Sequence, residues 1–294
     1  MLSLVKIKDG KVCLVSTDEP TLQEGHVLIK TKYIGLCRTD LYVADGKIPI
    51  SEDRVLGHEF SGVVIASNNG STFTVGDTVS CNPLLNDGFL GLDIDGALTE
   101  IISVPETHVI KMSWRLSLKE MAYLEPIAAI TSLSKKSTQI IDLLENNTNI
   151  IGIYGKNRIA ELTRIFLESF GVTTYPVTNY SASSTFDIII ETSLTNNDDV
   201  MDILADKLVT DGTLIIKSRP NSKISFTPIN FLKKELNIKA LFYGDFVDAA
   251  EWLADNKDRI SHLLGDEYDL VDYQLAFDAA NRDEGKKIFI RMPD

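Results

Sequence analysis

The chain has 294 residues, 44% hydrophobic and 24% charged, the balance of a globular protein with material for one large or two ordinary cores. Its net charge of −13 argues against nucleic acid or an anionic membrane as a partner, because phosphates would be repelled. No apolar run is long enough to span a bilayer and the first residues lack a signal-peptide pattern. Cys13, Cys37 and Cys81 are odd in number and far apart, so a reduced, cytoplasmic setting is expected rather than a disulfide framework.

Residues 12–15 and 27–34 read as strands. In the second, Val27, Ile29, Thr31 and Tyr33 alternate with Lys30 and Lys32, the period of a half-buried strand, and Glu24-Gly25 marks the turn before it. Two glycine-bounded segments follow, Tyr33-Ile34-Gly35-Leu36-Cys37-Arg38-Thr39-Asp40 and Leu56-Gly57-His58-Glu59-Phe60-Ser61-Gly62. Cys37 and His58 are zinc-type ligands. Asp40 is a candidate acceptor for the free ring N–H of His58, and Thr39 carries a hydroxyl able to pass a proton. Taken singly, each residue reads better as a buried thiol or a satisfied histidine; the pair in this context points to a metal. Short strands at 62–66, 78–81 and 98–104, with Asn68-Asn69-Gly70-Ser71 and Asp95-Gly96 as turns, predict a compact barrel-like β unit. Ser117-Leu118-Lys119-Glu120 has capping-box spacing and opens a helix towards Leu124-Glu125-Pro126, and a second helix starts at Pro126.

From residue 149 to about 243 the order becomes strand, helix, strand. Residues 149–154 form an apolar strand, the turn is Gly155-Lys156-Asn157-Arg158-Ile159-Ala160, and 162–170 is an amphipathic helix ending at Gly171. This is a βα unit of nucleotide-binding type in which Gly-x-Asn-x-x-Ala stands where G-x-G-x-x-G is the usual fingerprint. The first glycine still permits the tight turn, while Asn157 adds a side chain where a pyrophosphate must approach. The next strand, 173–177, ends in Thr178-Asn179-Tyr180, without the carboxylate that holds a ribose diol, which mildly favours NADP over NAD, although no arginine follows the strand to bind the extra phosphate. Strands at 187–191 and, after Asp211-Gly212, at 214–217 continue a parallel sheet. Residues 226–231 and 238–244 complete it with a helix and a strand. From Phe246 the chain returns to the first unit with an amphipathic helix at 248–255, followed by segments at 270–280 and 286–291 that resemble the closing helix and strand of a known family.

Cys37-Arg38-Thr39-Asp40 followed by Gly-His-Glu-Phe-x-Gly, with Gly76-Asp77-Thr78-Val79 and Asp95-Gly96-Ala97-Leu98-Thr99-Glu100, resembles the zinc-dependent medium-chain alcohol dehydrogenase family over most of the chain. The resemblance implies an α/β protein: a GroES-like β-barrel catalytic domain over 1–129 and 246–294, and an abbreviated Rossmann-type doubly wound parallel sheet over 130–245. The family's four-cysteine structural-zinc lobe is absent, since only Cys81 lies between Thr78 and Glu100. The resemblance further implies one catalytic zinc on Cys37, His58 and a carboxylate, with Glu125 as the fixed ligand and Glu59 exchanging or behind the metal. Thr39 would take the hydroxyl proton, with Tyr42 where many relatives carry a relaying histidine. Arg38, Gly155, Lys156, Asn157, Arg158, Ile159, Asn179 and Thr192 would contact NAD(P). The implied activity is hydride transfer between a secondary alcohol, polyol or sugar, or the matching ketone, and NAD(P), in a homodimer or homotetramer. The alternative is a non-catalytic zinc-binding relative with lost or weakened cofactor binding, which the altered glycine turn, the missing ribose acid and the trimmed sheet favour.

Overall fold

The computed structural model describes residues 1–7, 11–134, 149–177, 185–193, 199–219 and 223–293. In chain order the strands are β1 (Leu2–Lys6), β2 (Val12–Ser16), β3 (His26–Gly35), β4 (Glu59–Ser67), β5 (Thr78–Cys81), β6 (Leu84–Leu85), β7 (Gly88–Phe89), β8 (Ile101–Pro105), β9 (Val109–Lys111), β10 (Ile151–Tyr154), β11 (Thr174–Pro176), β12 (Phe186–Glu191), β13 (Leu208–Ile216), β14 (Asn237–Ala240), β15 (Leu264–Asp269) and β16 (Lys287–Arg291). The helices are α1 (Arg38–Ala44), α2 (Leu118–Met121), α3 (Leu124–Thr131), α4 (Arg158–Ser169), α5 (Val200–Lys207), α6 (Pro228–Leu232), α7 (Phe246–Ile260) and α8 (Tyr273–Arg282). The chain divides into two units, Met1–Ala128 with Phe246–Asp294, and Ala129–Asp245.

The first unit is built on a mainly antiparallel sheet of order β15-β16-β3-β4-β5-β9, with β8 also on β3. Its core draws Val27 and Ile29 from β3, Phe60 and Val64 from β4, Val79 from β5, and Leu98, Ile102 and Val104 from the β8 region. The alternation read from the sequence holds for Val27, Ile29 and Thr31 and then breaks. The register shifts between Thr31 and Tyr33, so Tyr33 is only half-buried while Ile34 and Gly35 turn inward. An extra residue in one strand flips the faces beyond it. Gly62 stands opposite Thr31, where a Cβ would lie 2.5 Å from both Ile29 Cγ2 and Lys30 O.

Several boundaries differ from the sequence reading. Residues 98–100 join the fold through single hydrogen bonds and a bridge, and the ladder proper begins at Ile101. After Asn82 the chain folds into the β6–β7 hairpin, which was not foreseen. β15 was not foreseen: Gly265-Asp266-Glu267 has no strand pattern, and the segment is extended because it pairs in parallel with β16. The capping box is formed, with Glu120 N–H on Ser117 Oγ at 3.3 Å and Ser117 N–H on Glu120 Oε2 at 2.6 Å. α3 begins at Leu124 rather than Pro126, placing Glu125 in its first turn.

The second unit is a five-stranded parallel sheet of order β11-β10-β12-β13-β14. β12 is buried throughout its Ile188-Ile189-Ile190 run, as expected of a strand covered on both faces. α4 starts at Arg158, four residues earlier than its apolar periodicity indicates, because Asn157 caps it. Asp211-Gly212 is an irregularity inside the longer β13, with Asp211 at φ +61°, rather than the turn before a short strand. β14 ends at Ala240, opposite the last residue of β13, and just beyond it the Leu241 and Phe242 carbonyls accept from Lys217 Nζ at 3.0 and 3.2 Å.

Candidate metal centre and nucleotide turn

The thiol, imidazole and carboxylate arrive from two segments whose backbone geometry is tightly prescribed. Cys37 is the N-cap of α1, and Asp40 in its first turn reaches back, accepting the Cys37 N–H on Oδ2 at 2.9 Å. The other Asp40 oxygen lies 3.6 Å from His58 Nδ1. One buried carboxylate therefore faces both the backbone of one candidate ligand and the ring of the other. His58 is positioned by a glycine junction. Gly57 has φ +92°, and Gly91 and Gly96 both pack on its backbone: a Cβ on Gly91 would lie 2.9 Å from Gly57 N, and one on Gly96 would lie 2.5 Å from Leu56 O and collide with Gly57 O. Gly96, Ala97 and Leu98 donate to Val55, Gly57 and Leu56 carbonyls at 2.9, 2.8 and 2.7 Å, fixing this segment from the other side. The Phe89 ring, from the β6–β7 hairpin, meets the imidazole edge-on at 5.2 Å.

Cys37, His58 and Glu59 bring one ligand atom each to within 4.8 Å of one another, the group of this kind found among the described residues. His58 is 2% exposed, and neither of its ring nitrogens has a hydrogen-bond partner. A buried imidazole left unsatisfied on both nitrogens is costly unless something else binds it. A thiolate, an imidazole and a carboxylate form a donor set that suits zinc. The electrostatics agree. Burial works against a charged imidazole, but Asp40, Cys37 and Glu125 outweigh it and lift the His58 pKa to about 10, so this spot draws positive charge.

Glu59 opens β4 directly opposite Gly35, whose missing Cβ leaves room: one there would come 2.9 Å from Glu59 Oε2 and 3.3 Å from Lys287 Cδ. Lys287 is fully buried, ion-paired with Glu59 Oε2, donates to Leu36 O at 3.1 Å and lies 6.0 Å from the Tyr123 ring centre. Burial pushes the Glu59 carboxyl upward, against the pull of Lys287. Glu125 is buried and acts electrostatically on both His58 and Glu59, but it does not join the mutual 4.8 Å group. Thr39 Oγ1 lies 3.7 Å from Cys37 Sγ. Arg38 forms an ion pair with Glu284. Sequence reasoning missed Lys287, Phe89 and Gly91. A lysine leading the apolar run Ile288-Phe289-Ile290 was the available signal for the first; nothing local marks the other two.

In the second unit the turn after β10 brings Gly155, Asn157 and Thr192 together. Gly155 has φ +130°, and a Cβ there would collide with Thr192 Oγ1. Asn157 Oδ1 accepts the Ala160 N–H at 2.9 Å, and its Nδ2 donates to Thr192 O at 2.8 Å. Thr192 is buried, with Oγ1 donating to Tyr154 O at 2.9 Å. Lys156 is exposed, whereas Arg158 and Ile159 begin α4. Asn179 lies outside the described residues.

A family profile described as "Alcohol dehydrogenase GroES-like domain" matches residues 23–114. The Starvation-sensing protein RspB of Escherichia coli (strain K12) is 26% identical over 153 residues, which span 46% of this chain and 45% of that protein, less than half the relative's length. Probable D-xylulose reductase A of Aspergillus clavatus is 22% identical over 331 aligned positions, covering 92% of this chain and 91% of the relative. Among solved structures, one described as a short chain alcohol dehydrogenase (rspB) from E. coli CFT073 complexed with cofactor NADH superposes with a TM-score of 0.87 at 17% identity, covering 99% of both chains. No helix among the described residues is long and apolar enough to cross a membrane. Residues 23–114, which carry both glycine-bounded motifs, thus match an alcohol dehydrogenase GroES-like domain, and over most of its length the chain is similar to a D-xylulose reductase.

Proposed function

We propose that the chain is an oxidoreductase that exchanges a hydride between a secondary alcohol, polyol or sugar, or the matching ketone, and NAD(P), at one zinc ion per chain. The observation that carries this reading is the convergence of Cys37, His58 and Glu59 around an imidazole with no hydrogen-bond partner. Cys37, His58 and Glu59 would hold the zinc, with Glu125 the neighbouring carboxylate. That order of the two glutamates is the reverse of the one the family resemblance suggests. When bound, zinc supplies Lewis-acid polarisation of a carbon–oxygen bond, and the nicotinamide supplies the hydride chemistry.

The chain's own residues do the remaining work. Asp40 holds the Cys37 backbone and orients the His58 ring. Lys287 balances the charge of the buried Glu59. Thr39, beside the Cys37 sulfur, takes the substrate's hydroxyl proton, and Tyr42, one turn further along α1, is the next group able to pass it on. Arg38 exchanges Glu284 for a cofactor phosphate. The three free cysteines suit a reducing, cytoplasmic setting. A homo-oligomer is supported by β14, the last strand in its sheet, with Ile238 and nearby Leu232 exposed.

Elemental analysis of protein purified without added metal tests the reading. One zinc per chain is expected, lost in Cys37→Ser and His58→Ala, together with NADH or NADPH oxidation by small ketones in the wild type alone. Protein that contains no zinc and takes none up on titration overturns it. One observation favours a second reading, a zinc-bearing relative with weakened cofactor binding: the Asn157 side chain sits in the nucleotide turn.

A further inference from the structure

We infer that Asn157 is an internal latch that sets this chain's affinity for dinucleotides, closing the α4 N-terminus with its own side chain. The inference rests on the oxidoreductase reading above and deepens it. In a strand–turn–helix nucleotide site, the pyrophosphate approaches the backbone at the second glycine of the fingerprint and accepts from N–H groups at the helix start. Here that position is Asn157, and the structure gives its side chain two jobs. Oδ1 takes the Ala160 N–H, one of the four donors that a helix start leaves free. Nδ2 donates to the Thr192 carbonyl at the end of β12, so the side chain ties the turn to the neighbouring strand. Thr192 is itself pinned to Tyr154 O and abuts Gly155, so the whole turn is braced by three residues of this chain.

A neutral amide oxygen thus occupies a helix-start donor of the kind a phosphate would use. To bind a dinucleotide, the Asn157 side chain must leave the Ala160 N–H and swing clear, giving up the Thr192 contact as it goes. A glycine at 157 removes both the competitor and the steric block. An aspartate keeps the cap, gives up the donation to Thr192 O and sets a carboxylate against the phosphates.

Asn157→Gly and Asn157→Asp, made in the full chain, separate this role from a purely structural one. Dissociation constants for NADH and NADPH come from nicotinamide fluorescence, and melting temperatures from calorimetry. Asn157→Gly is expected to tighten binding about tenfold, the factor corresponding to ~1.4 kcal/mol, while lowering the melting temperature because a cap is lost. Asn157→Asp keeps the Ala160 cap but loses the donation to Thr192 O, so it is expected to lower the melting temperature somewhat and to weaken binding. A residue that merely supports the fold would move affinity and stability down together in the glycine variant. Wild-type binding that Asn157→Gly leaves unchanged or weakens overturns the latch and leaves the oxidoreductase reading standing. No binding to folded wild type or folded Asn157→Gly overturns both.

Discussion

Lys287→Met probes the buried charge beside the candidate metal centre. The ammonium is fully buried, paired with Glu59, and donates to the Leu36 carbonyl at 3.1 Å. Methionine reproduces most of the aliphatic stem, so the packing loss is small and the cost is electrostatic. What remains is a buried Glu59 without its counter-ion and a Leu36 carbonyl without that donor. Breaking a buried pair by removing one partner costs about 3–5 kcal/mol, and the carbonyl adds about 1 kcal/mol. Burial already raises the Glu59 pKa, so the orphaned carboxyl can take up a proton, which offsets the carbonyl contribution and places the expected total near about 3 kcal/mol. For a unit of this size that is a drop of roughly 6–12 °C. Both tryptophans, Trp114 and Trp252, belong to the unit that holds Lys287, so urea unfolding of zinc-free protein followed by tryptophan fluorescence reads the right transition. Adding Glu59→Gln to Lys287→Met removes the orphaned charge and is expected to restore most of the loss. A single variant that costs less than about 1 kcal/mol, or a double variant as unstable as the sum of the singles, refutes the reasoning.

Two further outcomes follow from the same structure. Gly96→Ala drives a Cβ into the Leu56 and Gly57 carbonyls, which are backbone and cannot rotate away, so it is expected to destabilise by about 3 kcal/mol or more and to weaken zinc uptake, measured by denaturation and chelator competition. Asp202 has its pKa lowered, first by the Thr227 N–H and then by Asn230 and the Thr227 hydroxyl. A carboxyl depressed in the folded state adds stability above its ordinary 3.8 and loses it as pH falls through the lower folded value. Asp202→Asn should therefore be less stable than wild type near neutral pH, with the gap closing below about pH 4 in circular-dichroism melts.

The motif chemistry was legible in the linear chain because ligand types and glycines leave a local mark. Cys37, Asp40, His58 and Glu59 were singled out from two short segments, and all four meet in space. The βα order of the second unit was legible too, since runs such as Phe186–Glu191 are apolar throughout. Misreadings clustered where a partner strand or a distant side chain decides the outcome. The face switch at Tyr33 is a register effect, β15 exists only by pairing with β16, and the early start of α4 is a cap.

The sequence alone was enough to point to a sulfur and an imidazole within reach of one metal, a two-unit α/β chain and a nucleotide turn with its second glycine replaced, because each depends on neighbours a few residues away. Only the tertiary structure decided that Glu59 lies within 4.8 Å of the Cys37 and His58 donor atoms, that a lysine some 230 positions along the chain pairs with it, and that Asn157 fills the turn instead of merely crowding it. Burial sets the worth of a charge or a donor, and burial is settled by which distant segments close over a residue.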